Sequence, residues 1–263
     1  MMAMVNNMKY LIWLAVLPSL IIGILIYRAD RIEKEPKSEL VKAFLMGVLS
    51  VCFTLIISYI FKIPDIKLDI SNFINVFIYS FFGIALIEEF SKWICSYLFL
   101  KKNKNFDYLF DGIVYTTFVS LGFATIENIL YTISGGIFTG LIRAITTVPA
   151  HAFFGIASGY YFSLAKKNKI SNQQELKTRY LFLSVFIPFI LHGFYDFCLL
   201  TQNEILFLVY IVFVIALYCI SINKVKKMMK MEERFVGSKK LYCSNCGMKV
   251  DTLYCPNCGK KMD

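Results

Sequence analysis

Seven long apolar runs set the limits on what this chain can fold into. They are approximately Tyr10–Tyr27, Ala43–Phe61, Phe73–Leu100, Ile113–Ile133, Ile137–Ala165, Tyr180–Leu200 and Ile205–Ile222. Hydrocarbon offers backbone N–H and C=O groups no water, so a run of this length inside a bilayer must be helical. About 20 helical residues cross the core of a membrane, which allots one crossing to each run. The fold class is therefore all-α: a polytopic transmembrane helix bundle of about seven helices. Composition agrees, with 57% hydrophobic and 17% charged residues against about 45–50% and about 25% in a soluble domain. That excess excludes disorder and disfavours a plain soluble globule. The first run lacks a small-residue cleavage site and is followed directly by Arg28 and Arg31, so it reads as a retained span rather than a signal peptide.

The net charge of +10 reads as loop lysine and arginine rather than a nucleic-acid surface. Arg28, Arg31, Lys34, Lys37 and Lys42 follow the first run, Lys101, Lys102 and Lys104 the third, and Lys166, Lys167, Lys169, Lys177 and Arg179 the fifth. Between the second and third runs stand only Lys62 and Lys67, and the two remaining connections carry none. This alternation predicts a multi-pass cell-membrane protein with its N-terminus outside and its C-terminus in the cytoplasm. Lysine outnumbers arginine 23 to 5, and Ile, Asn and Phe are frequent, a bias that points to an AT-rich bacterial genome.

Past the last run the composition changes. Residues 1–223 read as the membrane domain and 224–240 as a basic juxtamembrane helix or linker lying on anionic lipid. Residues 241–263 read as a separate module. It carries Cys243-Ser-Asn-Cys246-Gly and Cys255-Pro-Asn-Cys258-Gly, with eight residues between Cys246 and Cys255. Each CxxCG predicts a knuckle in which glycine permits the tight turn beside the thiolates. Two knuckles give a closed tetrahedral site of four thiolates, hence a structural zinc ribbon. So short a module needs the metal to fold. The expected partner of the ribbon is a cytoplasmic protein, with nucleic acid not excluded, or it is a simple stable cap. Cys52, Cys95, Cys198 and Cys219 lie in apolar runs and read as packing residues.

The spans themselves carry charge. The third contains Glu88, Glu89 and Lys92, the fourth Glu127, the fifth Arg143 and His151, and the sixth His192 and Asp196. A charge near a helix centre costs about 2.5–3.5 kcal/mol, so six unpaired would cost roughly 15–20 kcal/mol. That exceeds the whole stability of a typical domain. These groups must pair, bind a cation or face a wet cavity. Glu88 and Lys92 share a helical face, as do Phe123 and Glu127, and His192 and Asp196. Pro149 is expected to kink the fifth helix just before His151. Alternating topology then brings acids and imidazoles from four helices to similar depth, in one polar cavity of the outer half of the bilayer.

Four acids against Lys92 and Arg143 leave −2 if all ionise, a charge that a divalent cation or two protons would neutralise. Hydrolysis fits this set. His151 and His192 with Asp196 or Glu127 form a donor set for a catalytic zinc with one position open for water. One carboxylate of the Glu88-Glu89 pair accepts the water's proton, while Lys92 holds the other ionised. A transporter or proton relay is the competing reading, since buried Glu, His and Asp also mark ion pathways. A non-catalytic scaffold is a third. One level of acids, rather than a ladder across the membrane, and the lack of an inverted-repeat pattern favour hydrolysis.

Glu88-Glu89-Phe-Ser-Lys92, Phe123-Ala-Thr-Ile-Glu127 and His192-Gly-Phe-Tyr-Asp196, in that order and each within an apolar run, resemble the PrsW family of intramembrane proteases. That family is related to the type II CAAX prenyl endopeptidases. Glu35-Pro36 and the His151 span, with Phe154-Gly155, fit as well. The resemblance covers roughly residues 10–200. It implies an endopeptidase acting on a membrane-anchored protein, with Glu88 as the base and Glu89 its partner. An anti-sigma factor or similar regulator is the implied substrate class. Where the prenyl endopeptidase relatives carry FxxxH and HxxxN, this chain has Glu127 and Asp196. Both a metal and a glutamate-activated water are therefore open for the site.

Overall fold

The computed structural model describes residues 2–30, 33–230, 235, 241–243, 245–250 and 254–260. Eight α-helices follow one another: α1 (Met2–Ala29), α2 (Lys37–Ile60), α3 (Phe73–Ile78), α4 (Leu86–Lys102), α5 (Asp111–Ile145), α6 (Thr147–Ile170), α7 (Gln174–Leu200) and α8 (Glu204–Lys230). A π-helical segment, Tyr79–Ala85, joins α3 to α4, so the third apolar run is one continuous rod. Asn72 starts it by accepting hydrogen bonds from the N–H groups of Ile74 and Asn75.

Among the described residues, six stretches are long and apolar enough to cross a membrane. One of them, Asp111–Ile170, has 60 residues, roughly 90 Å of helix against a hydrocarbon core of about 30 Å. It turns back on itself and accounts for both the fourth and the fifth apolar runs. The turn is at Gly136, whose φ of 77° is open to glycine and strained for other residues. Residues 137–145 then lie back along α5. A methyl group on Gly140 would meet Thr132 at 2.8 Å, and Arg143 donates from Nε to Asn128 Oδ1 at 3.0 Å. Residues eight and fifteen apart do not touch in a straight helix.

The fifth run is therefore not one helix kinked at Pro149. It breaks at Thr146 (φ −116°, ψ −67°). Pro149 sits in the first turn of α6, where its missing N–H is no loss. α8 continues past residue 223 to Lys230, so the first part of the basic stretch is helical. Residues 231–234 and 236–240 of the expected linker lie outside the described residues.

α5 and α6 form the centre, with 72% of their apolar window buried against 17% for α8. They cross closely because small residues face each other: a Cβ on Gly159 would sit 2.3 Å from the carbonyl oxygen of Gly112. α1 and α2 pack on α5, α7 packs on α6 and on the π-helical segment, and α4 bridges α2 and α7. Exposed apolar residues such as Trp13, Tyr59, Ile205 and Val212 form the outward face expected of a bundle in lipid. At the tail, Leu241–Tyr242 pairs antiparallel with Lys249–Val250.

The connection between α1 and α2 is pinned inward. Glu35 and Asp30 are buried there. The Tyr115 hydroxyl of α5 donates to the Glu35 carboxylate. Burial pushes the Glu35 carboxyl up from 4.5 to about 7, against the hydrogen bonds from Asp111 and Tyr115 that pull it down. Burial likewise raises Asp30 to about 6. The folded chain thus holds these protons more tightly than the unfolded chain does. Stability from this source is full at low pH and is lost as pH rises from about 4.5 towards 7. Thermal unfolding of the detergent-solubilised protein should show its midpoint falling across that interval. Glu35→Gln should flatten the fall; an unchanged slope would contradict the assignment.

Candidate active site

Seven sequence-selected side chains from four helices converge on one cluster. On α4, Lys92 Nζ lies 2.5 Å from Glu89 Oε1. From α6, His151 Nδ1 lies 3.1 Å from the same ammonium. Its Nε2 is 2.8 Å from Glu127 Oε2 of α5. On α7, His192 Nδ1 is 2.7 Å from Glu89 Oε1. Its Nε2 stands 3.3 Å from Asp196 Oδ2 and 3.9 Å from Glu88 Oε2. The imidazole rings are 5.2 Å apart and nearly perpendicular. Phe154 stacks on His192 at 5.0 Å. The Lys92 ammonium lies over the Phe123 ring at 4.7 Å.

Local sequence explains how each group is aimed. The π-helical segment inserts extra backbone just before Leu86 and resets the direction of Glu88 and Glu89, a device common at functional sites. His192 and Asp196 face each other across one helical turn, as their spacing requires. Ser120 of α5 donates to the backbone carbonyl of His151 at 2.6 Å, which fixes α6 where its first turns carry the imidazole. One expected pairing differs. Lys92 bonds Glu89 at i,i+3, not Glu88 at i,i+4. The ammonium lies 4.7 Å from the Phe123 ring and 5.9 Å from the Phe154 ring, on the side of Glu89 and His151.

Arg143, read from the sequence only as a countercharge, and Asn128, which that reading left without a role, complete the cluster. Arg143 Nη2 lies 3.2 Å from Glu127 Oε2, and its guanidinium covers the Tyr131 ring at 4.1 Å. Asn128 accepts from Arg143 and donates to the carbonyl of Ala15 on α1 at 2.9 Å. A charge inside an apolar run was the visible signal; the fold-back at Gly136 that brings Arg143 to Glu127 was not.

Hydrogen bonds decide which imidazole nitrogen carries the proton. An ammonium only donates, so Lys92 requires a lone pair at His151 Nδ1. His151 Nε2 then carries hydrogen and donates to Glu127. On His192, Nδ1–H donates to the Glu89 carboxylate, and Nε2 faces the Asp196 carboxylate at 3.3 Å. A carboxylate behind an imidazole is the usual support of a metal-binding histidine. Beyond Nε2, Glu88 Oε2 is buried without a hydrogen-bond partner.

Donor atoms of Glu88, His151 and His192 lie within 4.8 Å of one another, as do those of the four tail cysteines, and each group is able to hold a metal ion. The orphaned Glu88 oxygen fits that role, and His192 Nε2 fits it by giving up Asp196. His151 fits only by giving up its bond to Glu127. Glu89, Lys92, His151 and His192 are almost fully buried. The side chains of Glu88, Glu127 and Asp196 keep 13–19% exposure, so the cluster opens on their side.

In the tail, Cys243 Sγ and Cys258 Sγ are 3.4 Å apart and Cys246 Sγ and Cys255 Sγ 3.5 Å. Gly247 and Gly259 take φ values of 70° and 71°, as the two knuckles demand. Their N–H groups donate to the carbonyls of Cys243 and Cys255 at 2.7 and 2.8 Å. Hydrogen bonds from the Asn245 side chain and the Lys260 backbone hold the Cys258 thiol down to about 6, a state suited to a metal ligand.

A helical membrane bundle with buried carboxylates and imidazoles from four helices defines the class of a polytopic membrane hydrolase. Residues 35–220 match the PrsW family intramembrane metalloproteases, and the chain belongs to that family. It is 37% identical to Protease PrsW of Geobacillus kaustophilus over 201 residues, 76% of this chain and 84% of that one. It is 36% identical to Protease PrsW of Clostridioides difficile over 241 residues, 90% and 96% of the two chains. The Bacillus subtilis relative of the same name is 32% identical over 201 residues, 76% and 87% of the two. No solved structure matches. The chain is thus an intramembrane protease with bacterial relatives and several membrane-spanning helices.

The tail geometry carries its own expectation. Purified full-length protein should lose one equivalent of metal per chain on Cys246→Ser, measured by elemental analysis, while proteolysis by the membrane domain persists. Loss of proteolysis with the bundle still folded would join what the geometry separates.

Proposed function

We propose that the cluster hydrolyses a peptide bond of a membrane-anchored protein, with Glu88 activating the water. The observation that carries this reading is the Glu88 carboxylate. Each other ionisable group in the site has a partner within 3.3 Å, whereas Glu88 Oε2 is buried and unbonded. Its separation of 3.9 Å from His192 Nε2 is long for a direct hydrogen bond and is the span that one bridging water takes.

In this reading the water donates a hydrogen bond to Glu88 and lies beside His192 Nε2. As its oxygen attacks the substrate carbonyl, Glu88 takes the proton. Glu88 then returns the proton to the amide nitrogen as the C–N bond breaks. Glu89 and Lys92 do not touch the substrate; they fix the tautomers of His192 and His151 and hold both rings in place. The His151 Nε2–H and the Arg143 guanidinium, now shared by Glu127, supply positive character beside the developing oxyanion. Glu88, His192 and His151 would hold a catalytic zinc, with Asp196 beside them, and such an ion would acidify water and polarise the carbonyl.

Family membership favours hydrolysis over the transporter and scaffold readings. An anti-sigma factor or similar single-span regulator fits the substrate class that the family resemblance suggests. Alternating loop charge supports an outside N-terminus, a cytoplasmic ribbon and a site in the outer half of the bilayer. The four tail thiolates suit a structural zinc, with a cytoplasmic protein as the ribbon's partner. The divisions 1–223, 224–240 and 241–263 serve as functional units, with α8 carrying the first unit into the second.

Proteoliposomes with candidate single-span substrates test this. Glu88→Gln should lower turnover at least about a hundredfold, the low end for loss of a general base. Near-wild-type turnover would overturn the assignment. In the same assay, activity removed by a chelator and restored by zinc indicates the metal form; resistance indicates a carboxylate-activated water.

A further inference from the structure

Away from the candidate active site, a cavity of about 410 Å³ opens where α4 ends, α6 ends and α7 begins. Four lysines from those three helices line it: Lys101, Lys166, Lys169 and Lys177. Among the described residues none of the four has a carboxylate within ion-pair distance. The Lys166 ammonium rests on aromatic faces, 4.1 Å from the Phe106 centroid and 4.9 Å from that of Phe235, with the carboxyls of Asp111, Asp107 and Glu35 acting on it at longer range. Lys101 lies 5.8 Å from the Tyr97 ring, and Lys177 reaches only the neutral amide of Gln174 at 3.5 Å. Four like charges around one concavity repel one another, and an anion between them removes that cost.

Apart from Asn103 and the Tyr97 hydroxyl the rest of the wall is apolar, with Phe162 and Leu181 on facing helices. A small soluble anion has no use for such a wall. An amphiphile does: its phosphate meets the lysines and its acyl chains continue along the helices into the bilayer. The cavity also lies where an amphiphile lies, because α4 ends at Lys102, α6 ends at Ile170 and α7 starts at Gln174. These are the ends of membrane-spanning segments. Basic pockets between transmembrane helices are known to take anionic lipid head groups.

We propose that this cavity binds one anionic glycerophospholipid, the phosphodiester held by Lys166, Lys169 and Lys177 with Lys101 at the rim. Such a lipid would brace α4 against α6 and α7. α4 and α6 already meet beside the cavity in the stack of Trp93 on Phe162 at 6.1 Å, and Trp93 Nε1 donates to Ser184 of α7 at 2.7 Å.

Native mass spectrometry of the full-length protein in detergent tests the proposal, with dioleoyl phosphatidylglycerol and dioleoyl phosphatidylcholine titrated in parallel. Phosphatidylglycerol should bind at least about tenfold more tightly, given about fivefold for each lysine near anionic lipid. The triple variant Lys166→Gln, Lys169→Gln, Lys177→Gln should lose most of that preference. Arginine at the same three positions should retain it. Removing equal charge from α8, with Lys226→Gln, Lys227→Gln and Lys230→Gln, should leave it intact. Equal binding of the two lipids would overturn the proposal, and so would an equal loss in the α8 variant. Competition by soluble glycerophosphoglycerol at the concentration of the lipid would overturn it as well, by showing that a free phosphodiester suffices.

Discussion

The structure depends on one buried ammonium. Lys92 stands in an apolar bundle between a carboxylate at 2.5 Å and an imidazole nitrogen at 3.1 Å, with an aromatic face over it. Alone, such a charge would cost several kcal/mol. Here it fixes its neighbours. It holds Glu89 as an acceptor for His192, and it forces His151 to carry its proton on the far nitrogen. Glu127 follows from His151, Arg143 from Glu127, and Asn128 joins Arg143 to the α1 backbone. The charges settle one another in a chain that crosses five helices and ends at a single unpaired carboxylate, Glu88.

That chain needs helices placed to a fraction of an ångström. Glycine contacts between α5 and α6 bring the Ser120 hydroxyl to the His151 carbonyl. The π-helical segment turns Glu88 and Glu89 inward on a rod that would otherwise aim them elsewhere. Gly136 lets residues 137–145 fold back, so a basic side chain sixteen positions beyond Glu127 becomes its ion-pair partner. A polar site inside a membrane protein is thus built from the small residues and helix irregularities that a straight bundle would lack.

The apolar runs were legible because hydrocarbon leaves the backbone no choice but helix. The ribbon was legible because two CxxCG knuckles have one common use. His192–Asp196 was legible because one turn of helix fixes it. Lys92 was harder: i+3 and i+4 neighbours lie on the same face, and only Phe123 and Phe154, from other helices, choose between Glu89 and Glu88. The break at Thr146 rather than Pro149 follows because a helix tolerates proline in its first turn. Arg143 was visible only as a charge in need of a partner, since no local spacing reveals where a chain doubles back. Glu35 stood out as part of Glu35-Pro36, but its anchoring to Tyr115 is a tertiary contact.

The central claim is that Glu88 is the one acid that the network leaves free. It is tested most directly by thermal unfolding of Glu88→Gln beside Glu89→Gln, both with a chelator present. Removing one partner of a buried pair costs about 3–5 kcal/mol, so Glu89→Gln should lower the midpoint by at least about 5 °C. Glu88→Gln removes a carboxylate that has no hydrogen-bond partner, and its midpoint should match or exceed that of the wild type. A fall in Glu88→Gln as large as that in Glu89→Gln would show Glu88 to be part of the structural network, and would contradict the account.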